Sequence, residues 1–304
     1  MEQLIIDEPN VPAAPLLPPN DPFNDFFSDA RSPIDDPTVN GDIAAVLTNS
    51  VSTASIAPAQ SDLVTLPVPV KIGDQLITTA VVRELTGADE EALARAAVSG
   101  EPERMLDSLL SCGVVALGSH RPNSQDLLDL AVANRDALLL GIRKATYGPE
   151  VKFDELRCQS CGEDFELSYY LEDVPSGEPL TGTHLLEIQV PLRRGGGVCL
   201  RMPTGSDQLA VLEQIRTKNI NRAEQESVIM GRCLVRRYAD QGEASAVTDG
   251  LAAARALSMA DRSAIVRAMD KARPGPRLED ATVTCPACER STEVPLNIQS
   301  LFRG

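Results

Sequence analysis

The chain has 304 residues, enough for one large domain or two modest ones, and 43% of them are hydrophobic. Aromatic residues make up 3% and tryptophan is absent, so the sequence predicts an aliphatic core. The net charge of −16 argues against nucleic-acid binding, because phosphate binding needs a basic surface. The sequence has no apolar run long enough for a transmembrane helix, and its acidic start is not typical of a signal peptide, so we expect no membrane contact.

Residues 1–60 are predicted to be a disordered tail rich in proline and aspartate. The tail holds nine of the 22 prolines and nine acidic residues, with Arg31 as its single basic residue. This composition cannot bury enough apolar surface to offset the entropy of ordering. Short apolar islands such as Leu4–Ile6 and Phe26-Phe27 leave two interpretations open, a segment that docks on a partner or an inert linker.

Residues 61–150 are predicted to form a domain with a β-hairpin followed by helices. The hairpin joins Val68–Ile72 to Gln75–Val82 through the turn Gly73-Asp74. A capping box of Thr86 and Asp89 predicts the start of the first helix, which runs to about Val98. Further helices are predicted over Glu101–Cys112, Asp126–Ala133 and Arg135–Tyr147, with a short strand at Val114–Leu117. Asn134 is expected to cap the last helix, with Arg135, Arg143 and Lys144 on its solvent face.

Residues 151–304 are predicted to form an α+β domain that begins and ends with a cysteine knuckle. The first knuckle is Cys158-Gln159-Ser160-Cys161-Gly162, and the second is Cys285-Pro286-Ala287-Cys288. Short strand-like runs flank each knuckle, namely Glu150–Leu156, Phe165–Tyr170, Ala281–Thr284 and Thr292–Leu296. Between the knuckles we expect a hairpin of Leu185–Leu192 and Val198–Met202, then helices starting at Ser206 and covering Asn221–Tyr238, Ala252–Leu257 and Asp261–Lys271. Beyond the paired knuckles, the sequence shows no repeat that we recognise.

The two knuckles offer four thiolates, the ligand set of a structural Zn²⁺ site. The candidate ligands are Cys158, Cys161, Cys285 and Cys288. Their two pairs lie much farther apart than the roughly 15–20 residues of a compact zinc ribbon, so one ion would close a whole subdomain. Disulfides or free thiols, and a catalytic metal, are the alternatives. A redox pair would normally open a helix, and a catalytic metal needs an open position with histidine or carboxylate ligands.

No catalytic motif is apparent in the sequence, so we expect a protein that is not an enzyme. His120 and His184 belong to no metal-binding motif. The glycines at 195–197 join two predicted strands and favour a hairpin turn over a phosphate loop. Cys112, Cys199 and Cys233 stand singly among apolar neighbours, as is typical of buried thiols in a reducing compartment.

Four runs of the sequence together resemble a known family. They are Arg83–Glu91, Asn134–Gly148 leading into the first knuckle, Arg201–Asp207, and the closing knuckle with Glu293–Leu296 and Phe302. Their order resembles the T4-family baseplate hub proteins, also called baseplate hub assembly chaperones, of contractile phage tails and contractile injection systems. The resemblance covers about residues 61–304. Glu289 stands where a glycine is usual after a knuckle, and the tail lies outside the resemblance.

The resemblance implies a non-enzymatic protein that helps to build the baseplate hub of a contractile particle, or is part of it. It implies a structural zinc on the four cysteines, and hub, spike or tube proteins as partners. It also implies a cytoplasmic location during assembly, or a place in the assembled particle. Two rival functions are a zinc-ribbon module for nucleic acid or transcription, opposed by the charge, and a zinc-dependent hydrolase, opposed by the missing open ligand set.

Overall fold

The computed structural model describes residues 61–98, 102–181, 187–239 and 244–302. All of them belong to one compact unit, Pro58–Gly304. The tail predicted for residues 1–60 and the predicted start of the hairpin at Leu185 lie outside the described residues. Among the helices that are described, none combines the length and apolar character needed to cross a bilayer.

The described residues form helices and short antiparallel sheets, so the expected α+β class is confirmed. The elements up to the first knuckle and its second strand are β1 Ser61–Ile72, β2 Gln75–Arg83, α1 Gly87–Ala97, α2 Pro102–Gly113, β3 Val114–Leu117, α3 Ser124–Leu128, α4 Val132–Tyr147, β4 Glu150–Arg157 and β5 Asp164–Tyr170. The later elements are β6 Ser176–Gly177, β7 Glu187–Pro191, β8 Gly197–Arg201, α5 Gly205–Lys218, α6 Arg222–Cys233, β9 Leu234–Tyr238, β10 Ser245–Ala246, α7 Gly250–Ala256, α8 Met259–Lys271, β11 Gly275–Pro276, β12 Thr282–Thr284, β13 Ser291–Glu293 and α9 Ile298–Phe302.

The first sheet confirms the predicted hairpin and extends it. Strands β1, β2 and β3 lie side by side in that order, all antiparallel. The predicted capping box opens α1, where the Thr86 N–H donates to Asp89 Oδ2 at 2.8 Å. Helix α2 buries Leu109 and Leu110 completely, and α4 packs against the sheet with Leu138 and Ile142 inward.

Helix α4 differs from its prediction at its start and on its surface. The predicted helix over Asp126–Ala133 ends at Leu128, and α4 begins at Val132. Asn134 is therefore inside the helix rather than at its cap. Its side chain accepts a hydrogen bond from the N–H of Val68 and donates one to the carbonyl of Val68, each at 2.8 Å. Arg135 and Arg143 are buried, not exposed as predicted. Arg135 donates to the carboxylate of Asp107 in α2, and Arg143 donates to the carbonyls of Gly148 and Glu150 just beyond its own helix.

The second main sheet contains β10, β9, β8 and β7 in that order. The long helix predicted over Asn221–Tyr238 is wrong at its end, since α6 stops at Cys233 and the chain continues directly as β9. Val235 and Tyr238 are residue types that favour strands. Because the chain stops being helical at Cys233, residues 234–238 can form strand β9 and hydrogen-bond to β8. The predicted hairpin turn is present between β7 and β8, with Gly195 and Gly196 in the turn and Gly197 as the first residue of β8, paired with Pro191.

Two main aliphatic cores, with a small cluster of Val68, Ala131, Ala133 and Met202 beside them, are buried within the described residues. The larger core combines the first sheet and α2 and α4 with Val151 and Tyr169 near the first knuckle, and with Val294 and Leu301 near the second. The smaller core lies between the second sheet and α6 to α8, around Ile265. Because the larger core takes residues from both sides of position 150, it brings the two knuckle segments together. The domain boundaries predicted at residues 60 and 150 stay predictions.

Candidate metal centre

The first knuckle is a tight turn between β4 and β5. The N–H of Cys158 donates to the carbonyl of Glu163 at 2.8 Å, and the N–H of Gly162 donates back to the carbonyl of Cys158 at 2.9 Å. Gly162 has a φ of +78°, the left-handed conformation that glycine adopts without strain. The turn therefore places both sulfurs of Cys-x-x-Cys on the same side of the strand pair.

The second knuckle, between β12 and β13, repeats this turn with a different residue at its left-handed position. The N–H of Cys285 donates to the carbonyl of Arg290, and the N–H of Glu289 to the carbonyl of Cys285, both at 2.9 Å. Glu289 stands where Gly162 stands in the first knuckle and has a φ of +58°. The missing glycine noted in the sequence thus leaves the turn intact but places a glutamate in a conformation unfavourable for L-residues.

The two knuckles meet and bring four sulfurs together. All four Sγ atoms, from Cys158, Cys161, Cys285 and Cys288, lie within 4.8 Å of one another. Each close contact joins one knuckle to the other, with Cys158 Sγ at 3.7 Å from Cys288 Sγ and Cys161 Sγ at 3.8 Å from Cys285 Sγ. Cys158 and Cys285 are buried, whereas Cys161 is exposed and Cys288 half-buried. The site therefore lies at the edge of the larger core.

These distances fit a single tetrahedral ion. Four thiolates bonded to Zn²⁺ at about 2.3 Å stand at the corners of a tetrahedron with edges of about 3.8 Å. Two sulfur contacts between the knuckles, at 3.7 and 3.8 Å, match that edge, and all four sulfurs lie within 4.8 Å of one another. The same contacts are too long for a disulfide, whose bond is about 2.05 Å, and all four residues are free cysteines. The geometry supports a metal site of four thiolates over the disulfide alternative.

Hydrogen bonds prepare one of the sulfurs to act as a thiolate. Thr292 Oγ1 donates to Cys158 Sγ at 3.3 Å, and the N–H of Ser160 donates to the same sulfur at 3.4 Å. The bond from Thr292, together with backbone N–H groups of the knuckle, lowers the pKa of the Cys158 thiol below its usual value. Thr292 is buried and comes from β13, so the second half of the site stabilises a sulfur of the first half. The sequence analysis missed Thr292, because nothing near Cys158 in the chain indicates the contact.

The positions of the cysteines differ from those in typical redox and catalytic centres. Both cysteine pairs lie in turns between strands, so neither receives the field of a helix N-terminus that activates redox cysteines. Within the described residues, the only group close enough to share a metal consists of these four cysteines. His120 lies elsewhere and pairs with Asp126 at 3.0 Å, and His184 is outside the described residues. Four protein ligands leave no position open for a substrate or a reactive water.

The remaining cysteines are separate from the cluster. Cys199 and Cys233 are buried as predicted, and burial raises the pKa of the Cys233 thiol to about 12. Cys112 is only partly buried. These three cysteines lie outside the cluster, so a serine substitution at one of them is a control for substitutions within it.

No family model, curated protein or solved structure matches this chain. What the fold and the site define is an α+β protein with a cluster of four cysteines able to bind a metal ion.

Proposed function

We propose that Cys158, Cys161, Cys285 and Cys288 bind one Zn²⁺ ion that has a structural role. The observation that carries this proposal is the convergence of four sulfurs within 4.8 Å of one another, with two contacts between the knuckles at the edge length of a zinc–thiolate tetrahedron. When bound, the ion supplies folding free energy by joining two segments that are far apart in sequence. The protein's own residues contribute the ligands, the left-handed turns, and the hydroxyl of Thr292 that stabilises a thiolate.

Elemental analysis of the protein purified under reducing conditions tests the metal and its identity. We expect about one zinc per chain, and a Co²⁺-substituted protein with the absorption of a tetrahedral four-thiolate site. Replacing Cys158 with serine is expected to abolish stoichiometric binding, while Cys199→Ser leaves it unchanged as the matched control. A folded protein that carries no metal and binds no Co²⁺ would show the proposal to be wrong.

We further propose that the protein is a non-enzymatic structural or assembly component of the baseplate hub of a contractile tail or injection system. Support comes from the four sequence runs that resemble the T4-family hub proteins. It also comes from where those runs lie in the fold. Arg83–Glu91 and Arg201–Asp207 open helices α1 and α5, and Asn134–Gly148 is helix α4, which leads directly into the first knuckle. The closed ligand set of the cluster agrees with a role that requires no catalysis.

A deletion experiment in the genome that encodes the chain tests the hub function. Particles are purified from cells that lack the gene and imaged by electron microscopy, with wild-type and Cys158→Ser genes supplied in trans. We expect tubes and sheaths without complete baseplates in the deletion, and rescue by the wild-type gene only. Normal baseplates in the deletion strain would refute this function, and they would leave the zinc proposal untouched.

A binding measurement distinguishes the proposed function from the rival nucleic-acid function. A filter-binding assay at low salt favours detection of electrostatic contacts with phosphate. With a net charge of −16, we expect no retention of duplex or single-stranded probes. Retention that disappears with added salt would favour the zinc-ribbon alternative instead.

A further inference from the structure

The expectation of no repeat beyond the paired knuckles is wrong, because the knuckles are the last part of a longer correspondence between the two halves of the chain. Residues 132–167 align with residues 259–294 without a gap. The alignment covers helix α4 with α8, the following Gly-Pro, and both knuckles. Identical pairs are Ala133 and Ala260, Arg135 and Arg262, Ala137 and Ala264, Lys144 and Lys271, Ala145 and Ala272, Gly148 and Gly275, Pro149 and Pro276, Cys158 and Cys285, Cys161 and Cys288, and Glu166 and Glu293.

Earlier in each half, the same short motif closes a hairpin and starts a helix. The motif is Arg-x-x-Thr-Gly-x-Asp, at Arg83–Asp89 after β2 and at Arg201–Asp207 after β8. In both copies two guanidinium nitrogens of the arginine donate to the two carboxylate oxygens of the aspartate. One of these nitrogens also donates to the backbone carbonyl of the residue that follows the arginine. In both copies the threonine N–H also donates to the aspartate, at 2.8 and 2.9 Å.

The order of elements and the strand register agree as well. Each half has a hairpin, two helices, a strand that returns to the hairpin, a short helix, a longer helix and a knuckle. The returning strand pairs with the second hairpin strand in both halves, β3 with β2 and β9 with β8. A register shift interrupts both pairings at the same place, between Val81 and Val82 and between Cys199 and Leu200.

Tertiary contacts of the aligned arginines match too. Arg135 Nη1 donates to the carbonyl of Leu127 in α3, and Arg262 Nη1 to the carbonyl of Ala254 in α7. Their second partners also come from corresponding helices. Arg135 pairs with Asp107 in α2, and Arg262 Nη1 donates to Ser227 Oγ in α6 at 2.9 Å. Chance similarity of one motif would not reproduce backbone conformation, register and long-range contacts together.

We propose that the chain is an internal duplication of one unit, residues 61–170 and residues 187–296, and that the metal centre is the junction of the two copies. Interchanging the copies turns the contact of Cys158 with Cys288 into that of Cys285 with Cys161, and these contacts measure 3.7 and 3.8 Å. Such reciprocal contacts are the mark of an interface between identical partners. The partner that each unit recognises through its knuckle is thus a second copy of the same unit. The duplication itself is independent of the hub function and of which metal binds.

The first test moves an ion pair from one unit into the other. If Ser227 occupies the place of Asp107, Ser227→Asp gives Arg262 the carboxylate that Arg135 already has. We expect the thermal midpoint of the full-length protein to rise by about 2–4 °C. The rise must disappear when Arg262 is also replaced with methionine, which isolates the new pair. An unchanged or lower midpoint, or a rise that persists without Arg262, would overturn the equivalence of the units.

The second test does not depend on that pair. The turns Cys158–Glu163 and Cys285–Arg290 are exchanged within the full-length protein, and Co²⁺ binding is titrated by absorption. Because the two turns hold equivalent positions at the metal, we expect unchanged stoichiometry and an unchanged spectrum. As a control, the same turn inserted one residue out of register should lose binding. Loss of binding in the in-register exchange would overturn the proposed junction. A protein without metal before any exchange would instead refute the zinc proposal.

Discussion

Glu289 and Gly162 occupy equivalent positions in the two knuckles and share a left-handed backbone conformation, although the residue types differ. The Glu289 φ of +58° reproduces the left-handed turn that Gly162 makes at +78°. A residue with a Cβ pays about 1–2 kcal/mol in this region, whereas glycine loses only the entropy of its more flexible unfolded chain. The side chain of Glu289 is exposed, so it gives no packing in return.

Replacing Glu289 with glycine is therefore expected to stabilise the protein by about 0.5–1 kcal/mol. Urea unfolding of the metal-loaded protein measures the change, with Gly162→Ala as the converse substitution. That control is expected to destabilise by about 1 kcal/mol or more, because alanine is strained at φ +78°. Equal stabilities of the three proteins would mean that the turns relax without cost.

Residue-level patterns also set the limit of what the sequence could predict. The four cysteines of the cluster could be predicted from the Cys-x-x-Cys spacing, since the turn that brings two sulfurs of a knuckle together is local. The burial of Arg135 could not be predicted, because its partner Asp107 lies 28 residues away and is identified only by the tertiary fold. Arg143 donates to nearby backbone carbonyls, and such acceptors leave no mark in the sequence. Thr292 was missed for the same reason as Asp107.

At the scale of elements, Asp207 joins a strand and two helices through its buried carboxylate. It accepts from Arg201 at the end of β8, from the Thr204 N–H at the start of α5, and from Arg232 in α6. Desolvation raises its pKa, but the hydrogen bonds and charges of the two arginines and Thr204 outweigh that effect. The pKa is consequently lowered to about 2.

This lowered pKa predicts a loss of stability in acid. The folded pKa lies below the unfolded value of about 3.9, so the contribution is complete above about pH 4 and is lost as the pH falls towards 2. The expected size is about 2 kcal/mol. Unfolding free energies measured from pH 6 to 2 should show a smaller acid loss in Asp207→Asn and no difference in the exposed control Asp154→Asn. An unchanged acid profile in Asp207→Asn would contradict the prediction.

Element boundaries were harder to predict than element types. The apolar pattern of α6 continues through Cys233 into Leu234, so it gives no sign that the helix ends there. The change to strand β9 depends on pairing with β8, a contact that local sequence does not contain. By contrast, the capping boxes at Thr86 and Thr204 are local and identify the starts of α1 and α5.

On the scale of the whole molecule, the metal centre connects the end of the described chain to its larger core. Residues around the second knuckle contribute Ala281, Val294 and Leu301 to that core, all nearly or completely buried. The smaller core around Ile265 uses none of them. Loss of the metal should therefore act mainly on the larger core, although the intervening segment belongs to the smaller one.

Hydrogen exchange of Cys285→Ser tests this distribution. We expect faster amide exchange in β4, β5 and the segment from β12 to α9, extending to α2, against which α9 packs. Strands β7 to β9 and helices α7 and α8 should keep their protection. Cys233→Ser, within the smaller core, is the converse control. Exchange that rises only between residues 282 and 302 would show that each knuckle stands alone.

The separation of the two knuckles also imposes an order in time on every newly made molecule. Cys285 follows Cys161 by 124 positions. At a synthesis rate of about 5–20 residues per second, the first pair of thiols waits roughly 6–25 s for the second. During that interval the nascent chain contains only two of the four proposed ligands, half of what a tetrahedral site needs. Under the proposed zinc site, capture of the ion by all four cysteines has to wait until Cys285 and Cys288 have been synthesised, and the first pair of thiols is open to oxidation during that interval.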